Sequence, residues 1–210
     1  MATLVRKEMR GRELSGAQYD LGYGRVAQTL LLEGLGEPCM VLNTHLTFPH
    51  GFSEREAQLR QIQQISGLLE NQRLHAGLPE TVSQIVCGDF NADPTSRVCA
   101  HLTFQGFSRC QPADCEAPRI THYTHLSESV EVDHIFFRGP IRLVETIVEP
   151  RGWPCAAWQS DFTLSDHRPV TGKLLFTRPS CGWRFDSRVG VVHTHPNAIY
   201  TQAGNNGEGI

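Results

Sequence analysis

Four short segments place ionisable or amide side chains inside, or at the end of, apolar runs typical of buried strands. They are residues 43–46 (NTHL), 88–91 (GDFN), 132–135 (VDHI) and 165–169 (SDHRP). A carboxylate in such a position is costly unless it meets a cation or a hydrogen-bond network. One such residue is commonly a structural cap, but capping does not explain four of these segments in one chain. The segments therefore predict a polar site assembled from distant parts of the sequence.

The order NTHL, GDFN, VDHI, SDHRP resembles the endonuclease/exonuclease/phosphatase superfamily, over a stretch from about Thr3 to Phe176. That superfamily includes deoxyribonucleases, abasic-site endonucleases, deadenylases, sphingomyelinases and inositol-polyphosphate phosphatases. The resemblance implies a metal-dependent phosphodiesterase or phosphatase that hydrolyses a phosphate ester by in-line attack of water, with nuclease-like activity expected. It also implies Mg²⁺ or Mn²⁺ as the cofactor.

The resemblance further implies roles for the acidic and amide residues of GDFN and SDHRP. Asp89 would position and deprotonate the attacking water, and Asn91 would orient this water or hold a phosphate oxygen. Asp166, together with Asp89, would hold the divalent metal, because Mg²⁺ prefers one or two carboxylate oxygens plus substrate phosphate and waters. As a pair, GDFN and SDHRP are difficult to explain as caps.

The resemblance implies different roles for the histidines of these segments. His167 would donate to a non-bridging phosphate oxygen, with Asp133 as the buried partner that fixes its tautomer and raises its basicity. His45 would stabilise the transition state or protonate the leaving oxygen. The structural alternatives are a core histidine bonded to backbone for His45 and a strand-end cap for Asp133. His134 is expected to form a wall of the site.

Hydrophobic periodicity predicts the elements that must position these residues. Strands are expected at 25–33, 38–44, 83–88, 130–137, 141–148 and 169–176. A helix over 53–73 is predicted with a capping box of Ser53 and Glu56, and a second helix begins after Thr95 or Ser96 and ends near Gln105. This pattern indicates an α/β (α+β) fold. The family resemblance makes it a four-layer sandwich of two packed β-sheets flanked by helices.

The resemblance covers only part of the family's domain. Its upstream metal-binding Glu has no counterpart, so we expect an N-terminally truncated domain over residues 1–177, equivalent to the C-terminal two-thirds, followed by a flexible tail over 178–210. The alternative function is therefore a catalytically impaired fragment or pseudoenzyme that binds a phosphorylated ligand or a protein partner.

Charge, apolar runs and cysteine content exclude several classes of protein. Nineteen Lys and Arg stand against 22 Asp and Glu, a formal charge of -3, which excludes a strongly basic DNA-coating protein. The sequence contains no apolar run long enough to span a membrane and no visible secretory signal. Seven scattered cysteines favour a reducing compartment, so an intracellular protein is expected, in the cytoplasm or, as the alternative, in the nucleus. A zinc site of Cys110, Cys115, His122 and His125 has unfavourable spacing.

The substrate is less defined by the sequence. The deadenylase-like appearance of NTHLTFPH and DFNADPTS places nucleic acid slightly above a phospholipid headgroup. Trp153 and Trp158 precede SDHRP, where they could stack on a base, face a lipid or simply be buried. His122 and His125 are interpreted as ordinary loop residues.

Overall fold

The computed structural model describes residues 2–5, 13–32, 37–111, 119–126, 128–148, 165–177, 188–195 and 198–204. Within these residues the chain forms thirteen strands and two helices. The strands are β1 (Ala2–Val5), β2 (Glu13–Gly22), β3 (Arg25–Leu32), β4 (Cys39–His45), β5 (Ser83–Asp89), β6 (Ser108–Arg109), β7 (His122–Tyr123), β8 (Ser129–Val130), β9 (Asp133–Arg138), β10 (Ile141–Val148), β11 (Val170–Phe176), β12 (Arg188–His195) and β13 (Ala198–Gly204). The helices are α1 (Phe52–His75) and α2 (Arg97–Phe104).

A six-stranded sheet carries three of the four predicted segments. Its strand order is β2-β3-β4-β5-β9-β6, with β4 and β5 parallel and the other pairs antiparallel. Every residue of β5 is buried, and so are the first six residues of β4. Strands covered on both faces read as continuous apolar runs, which is why β3, β4 and β5 were predictable from sequence.

Both helices pack on one face of this sheet. Ile62, Ile65 and Leu69 form the buried stripe of α1, at the spacing that the sequence predicts. The predicted capping box is wrong: Gly51 occupies the N-cap position without a side-chain cap, so Ser53 already lies inside the first turn. The cap of α2 is confirmed, since the Ser96 side chain accepts a hydrogen bond from the Cys99 backbone N–H.

A second sheet, in the order β1-β13-β12-β11-β10, covers the opposite face. Ile85 and Ile135 of the first sheet share a buried core with Val170 and Leu174 of the second. The predicted α/β class with two packed sheets is thus confirmed. The described residues contain helices only on the six-stranded sheet, and no described element forms the outer helical layer expected on the five-stranded sheet.

Two parts of the chain form long strands, of seven to ten residues, that the sequence analysis does not predict. β12 and β13 lie within the segment 178–210, expected as a flexible tail, and β12 pairs along the whole of β11. β2 pairs with β3 at the edge of the first sheet. Its sequence, ELSGAQYDLG, lacks a clear apolar alternation, and residues 16–18 are exposed, because an edge strand buries little.

Candidate active site

Three neighbouring strands bring three of the predicted residues into one row. His45 ends β4, Asp89 ends β5 and Asp133 begins β9. The strand register pairs His45 with Asp89 and Asp89 with Asp133. Residues paired across adjacent strands project from the same face of a sheet, and the His45 Nε2 atom accordingly lies 3.3 Å from Asp89 Oδ2. The sheet register therefore assembles the centre of the site.

Gly88 allows β4 and β5 to approach each other directly beside this row. Its φ of +133° is a conformation that side chains rarely adopt, and a Cβ added there would lie 1.9 Å from the Thr44 carbonyl oxygen. The glycine of the GDFN segment is thus required by the backbone.

His167 joins the row from the segment that precedes β11. Its Nδ1–H donates to Asp133 Oδ2 at 2.8 Å, and its Nε2 lies 3.8 Å from Asp89 Oδ2. Asp89 and Asp133 are 6% and 2% exposed, so two carboxylates and one imidazole share a nearly dry environment. Asp166 is half exposed at the mouth of the site, and its Oδ2 lies 3.8 Å from His122 Nδ1.

Burial sets the protonation of Asp89. It raises the pKa of this carboxyl to about 7, with a further contribution from the negative charge of Asp133, against the opposing effect of His167. A carboxyl whose pKa lies near neutrality is suited to accept a proton at physiological pH.

The two histidines beside Asp89 are shifted in opposite directions. Burial, with the positive charges of Arg25 and His167, lowers the pKa of His45 to about 4, so this ring is neutral at pH 7. Burial also lowers the pKa of His167, but the hydrogen bond and charge of Asp133, with Asp89, outweigh burial and raise it overall. The same pocket therefore holds one neutral and one readily protonated imidazole.

Asn91 follows the row in a left-handed conformation, with φ of 47°. Its backbone N–H donates to Asp89 Oδ1 at 2.8 Å, and its Nδ2 donates to the Leu46 carbonyl at 2.9 Å. Asparagine tolerates this conformation better than most residues, and such strain commonly occurs at functional sites. Asn91 thus links the loops that follow β4 and β5.

Two glutamines of α1 position those loops, a role that the sequence analysis does not identify. Gln58 Nε2 lies within 3.2 Å of the carbonyl oxygens of Thr47, Phe90 and Asn91. Gln61 Oε1 accepts from the Thr47 backbone N–H, while its Nε2 donates to the Thr47 hydroxyl. The available sequence signal was their spacing, which places both glutamines on the same helix face as Ile62 and Ile65.

His122, interpreted from sequence as a loop residue, is part of the cluster. Its ring stacks on that of His167 with centroids 4.1 Å apart, and its Nδ1–H donates to the Asp166 backbone carbonyl at 3.0 Å. His134 lies beneath the site, completely buried, and its Nε2–H donates to the Ala92 carbonyl at 2.8 Å. It supports the loop that carries Asn91. Trp153, Trp158 and Cys115 lie outside the described residues.

Metal-ligand geometry centres on His167. Ligand atoms of Asp89, Asp133 and His167 lie within 4.8 Å of one another, and the same holds for His122, Asp166 and His167. The expected pair of carboxylates, Asp89 and Asp166, thus falls in two different groups, which share His167. Hard carboxylate oxygens suit Mg²⁺, and a cation would also favour the ionised form of Asp89, which burial and Asp133 disfavour.

None of the helices in the described part of the chain is long and apolar enough to cross a membrane.

The chain is similar in sequence and in fold to known proteins. The family model described as endonuclease/exonuclease/phosphatase matches residues 3–167. An uncharacterized calcium-binding protein of Arabidopsis thaliana is 32% identical over 107 residues, which cover 48% of this chain and 22% of the plant protein. The match thus spans about a fifth of that curated relative.

Two solved structures have a similar fold. The human Nocturnin catalytic domain, solved with a bound sulfate anion, is similar with a TM-score of 0.60 and 22% identity, over 80% of this chain and 61% of that one. A mannosyl-6-phosphatase of Bacteroides thetaiotaomicron gives a TM-score of 0.54 at 15% identity, over 80% and 68% of the two chains. At these identities the structures support the fold, whereas the family match covers well over half of the sequence. The chain belongs to the endonuclease/exonuclease/phosphatase family.

Proposed function

We propose that this protein hydrolyses a phosphate ester by in-line attack of water, with the help of a divalent metal ion. Members of the family are hydrolases of phosphate esters, and the proposal extends that class to this chain. One observation carries it: Asp133, His167, Asp89 and His45 form a continuous chain of carboxylates and imidazoles at one edge of the sheet.

Asp89 and Asn91 are assigned to the attacking water. Without a cation, burial raises the pKa of Asp89 to about 7, and a bound divalent ion would lower it and so favour the ionised carboxylate that accepts a proton. The Asn91 backbone N–H donates to Oδ1 of Asp89, and this hydrogen bond limits rotation of the carboxylate. Fixed orientation of a base and its water lowers the entropic part of the barrier.

His167 and Asp133 are assigned to the phosphoryl oxygens. The hydrogen bond from Nδ1 to Asp133 orients the ring and favours its protonated form, so its Nε2–H can donate to a non-bridging oxygen as negative charge develops. This arrangement has the same logic as a carboxylate that orients a catalytic histidine in other hydrolases.

His45 is assigned to transition-state stabilisation. The sequence leaves open whether this residue protonates the leaving oxygen, and its pKa of about 4 favours donation of a hydrogen bond from a neutral ring instead. Asp89 and Asp166 would hold the divalent ion, which when bound neutralises phosphate charge and lowers the pKa of a coordinated water.

The substrate is proposed to be a phosphodiester, with nucleic acid slightly favoured over a phospholipid headgroup. Arg25 lies close enough to lower the pKa values of both His45 and Asp89, so the site has a nearby positive charge for an anionic substrate. The sulfate in the similar Nocturnin structure is a tetrahedral anion of the same kind as phosphate.

The test compares hydrolysis of bis(p-nitrophenyl) phosphate and p-nitrophenyl phosphate by the purified chain with Mg²⁺, with Mn²⁺ and with EDTA. We expect metal-dependent release of p-nitrophenolate that Asp89→Asn reduces by at least two orders of magnitude. Glu80→Gln, an exposed carboxylate-to-amide change near the other end of β5, is the matched control and should retain the parental rate. Absence of turnover with either ester, or turnover that Asp89→Asn leaves intact, would refute the proposal.

A further inference from the structure

The hydrogen bond between Asp133 and His167 joins two positions that the sheets support incompletely. Asp133 is the first residue of β9, where β5 pairs with it on one side. On the other side β6 ends at Arg109, and the hydrogen bond from the Cys110 N–H reaches only the Ile135 carbonyl. His167 precedes β11 and lies outside its ladder. Strand pairing alone therefore does not hold these two side chains 2.8 Å apart.

Thr121 supplies the support for Asp133. This residue is completely buried, and its Oγ1 atom accepts hydrogen bonds from the backbone N–H groups of Val132 at 3.0 Å and Asp133 at 3.1 Å. Its own N–H donates to the Val130 carbonyl at 2.9 Å. Because a buried N–H group without an acceptor is costly, this hydroxyl fixes the backbone from which the Asp133 carboxylate projects.

The same segment also holds His167. The Thr121 carbonyl accepts from the Arg168 N–H at 2.7 Å, and residues 122 and 167 form an antiparallel bridge. The His122 Nδ1–H donates to the Asp166 carbonyl at 3.0 Å, and its ring stacks on that of His167 with centroids 4.1 Å apart. Contacts on both sides of His167 and a ring against its face restrict rotation of the imidazole away from its carboxylate partner.

An ion cluster anchors the start of this segment. Glu131 is buried two residues before Asp133, and its Oε1 accepts from Arg119 Nη2 at 2.8 Å and from Arg109 of β6. Its Oε2 accepts from the Arg119 backbone N–H at 3.3 Å. A shift of the segment along β9 would leave a buried charge without its partner, which is strongly destabilising.

We propose that residues 119–123 form a clamp that keeps Asp133 and His167 in their hydrogen-bonded arrangement, with Thr121 and His122 as its positioning residues. The proposal rests on the proposed function for the role of this pair and adds the residues that keep it aligned. Thr121 acts through the backbone of Asp133, and His122 acts through the ring of His167. The clamp should therefore affect kcat and leave KM unchanged.

The first test replaces Thr121 with valine and with serine. Thr121→Val keeps the shape of the side chain and removes the acceptor of two N–H groups, whereas Thr121→Ser keeps the hydroxyl. With bis(p-nitrophenyl) phosphate and Mg²⁺, we expect Thr121→Val to lower kcat about 10- to 100-fold at unchanged KM, the range found for groups that orient the residues of a site. Thr121→Ser should retain most of the parental kcat.

Thr124→Val is the matched control, because Thr124 makes the same kind of contact three residues further along the chain. It is also buried, and its Oγ1 accepts from the backbone N–H groups of Leu126 and Glu128, in the turn between β7 and β8. This variant should lose similar stability in urea and keep the parental kcat. Equal losses of kcat in Thr121→Val and Thr124→Val, or no loss in either, would overturn the clamp.

Two substitutions at His122 separate positioning from contact with the substrate. His122→Ala removes the ring and should lower kcat at unchanged KM. His122→Phe restores a ring that can stack on His167, so it should recover most of this loss. A higher KM in His122→Ala, or no recovery in His122→Phe, would overturn the positioning role. Should Thr121→Val fail to fold, this pair of variants decides.

A second measurement does not depend on turnover. In proton NMR of the protein in EDTA, the His167 Nδ1–H that donates to a carboxylate should resonate far downfield of the backbone amides, and His167→Gln identifies this resonance by its loss. We expect Thr121→Ser and Thr124→Val to keep the resonance, and Thr121→Val and His122→Ala to broaden or remove it. If no ester is hydrolysed but the resonance responds in this way, the proposed hydrolysis fails and the clamp stands. Absence of the resonance from the parent, or its persistence in both disruptive variants, would refute the clamp.

Discussion

His134 should make the stability of this protein depend on pH. Replacing His134 with phenylalanine should remove this contribution. Its ring is completely buried against Phe90 and Phe136, and Nε2–H donates to the Ala92 carbonyl. Among the described residues, its Nδ1 has no hydrogen-bond partner. Burial lowers the pKa of His134 to about 4, despite the hydrogen bond to Ala92 and the nearby charge of Glu131, which oppose the shift.

The direction of the effect follows from which state binds the proton. In the unfolded chain the imidazole has a pKa of about 6.5, so it becomes charged as the pH falls below that value, while the folded ring stays neutral down to about 4. The unfolded state therefore gains protons that the folded state does not. The His134 contribution is fully present above pH 6.5 and is lost as the pH falls toward 4.

The magnitude follows from the same two values. Each pH unit below 6.5 costs about 1.4 kcal/mol until the folded-state pKa is reached, so the free energy of unfolding at pH 5 should be lower by about 2 kcal/mol. The shifted pKa values of Asp89, His45 and His167 also make stability depend on pH, and their effects cancel when a variant at His134 is compared with its parent at each pH.

The assay is urea unfolding of the parent and of His134→Phe at pH 7.5 and pH 5.0, followed by circular dichroism. The variant loses the hydrogen bond to Ala92, a cost of about 1–3 kcal/mol that is independent of pH. Relative to the parent it should gain about 2 kcal/mol between the two pH values. His125→Phe, at an exposed loop histidine, is the control. If the stability difference between His134→Phe and the parent is the same at both pH values, the reasoning is wrong.

Three further substitutions test the positioning of the site. Gly88→Ala should lower the free energy of unfolding, measured by chemical denaturation, by roughly 3 kcal/mol or more, because the added Cβ would collide with the Thr44 carbonyl. Asp133→Asn should lower the pKa of His167, measured by NMR titration of the ring, because the Asp133 carboxylate no longer opposes the effect of burial. The same substitution should reduce any hydrolysis about 10²- to 10⁴-fold. Gln58→Leu should destabilise the protein by about 1–3 kcal/mol and increase amide exchange in residues 90–92, because three carbonyl groups lose their common donor.

Each of these predictions has a clear contrary result. Gly67→Ala is the control for Gly88→Ala, since a Cβ in the middle of α1 meets no atom within 4 Å and should stabilise the helix by about 0.5–1 kcal/mol. Equal effects of the two alanines would contradict the close approach of β4 and β5. An unchanged pKa of His167 in Asp133→Asn would show that the hydrogen bond does not control this ring. Unaltered amide exchange of residues 90–92 in Gln58→Leu would show that Gln58 of α1 does not hold these loops in place.

Local sequence was sufficient for the elements that are buried on both faces and for the helix with a continuous apolar stripe. β4 and β5 read as apolar runs, and α1 shows Ile62, Ile65 and Leu69 at helical spacing. The types of residue at the site, such as Asp89 and His167, were also identifiable, because a buried carboxylate or imidazole needs a specific partner.

The sequence by itself thus determined the family, the α/β class and the set of polar residues from which a site could form. Only the tertiary structure decided how they meet. The register of β4, β5 and β9 places His45, Asp89 and Asp133 in one row, and residues 121–123 bring His122 against His167. Strand register and the packing of loops depend on contacts between residues 30 or more positions apart, which no local pattern of side chains encodes.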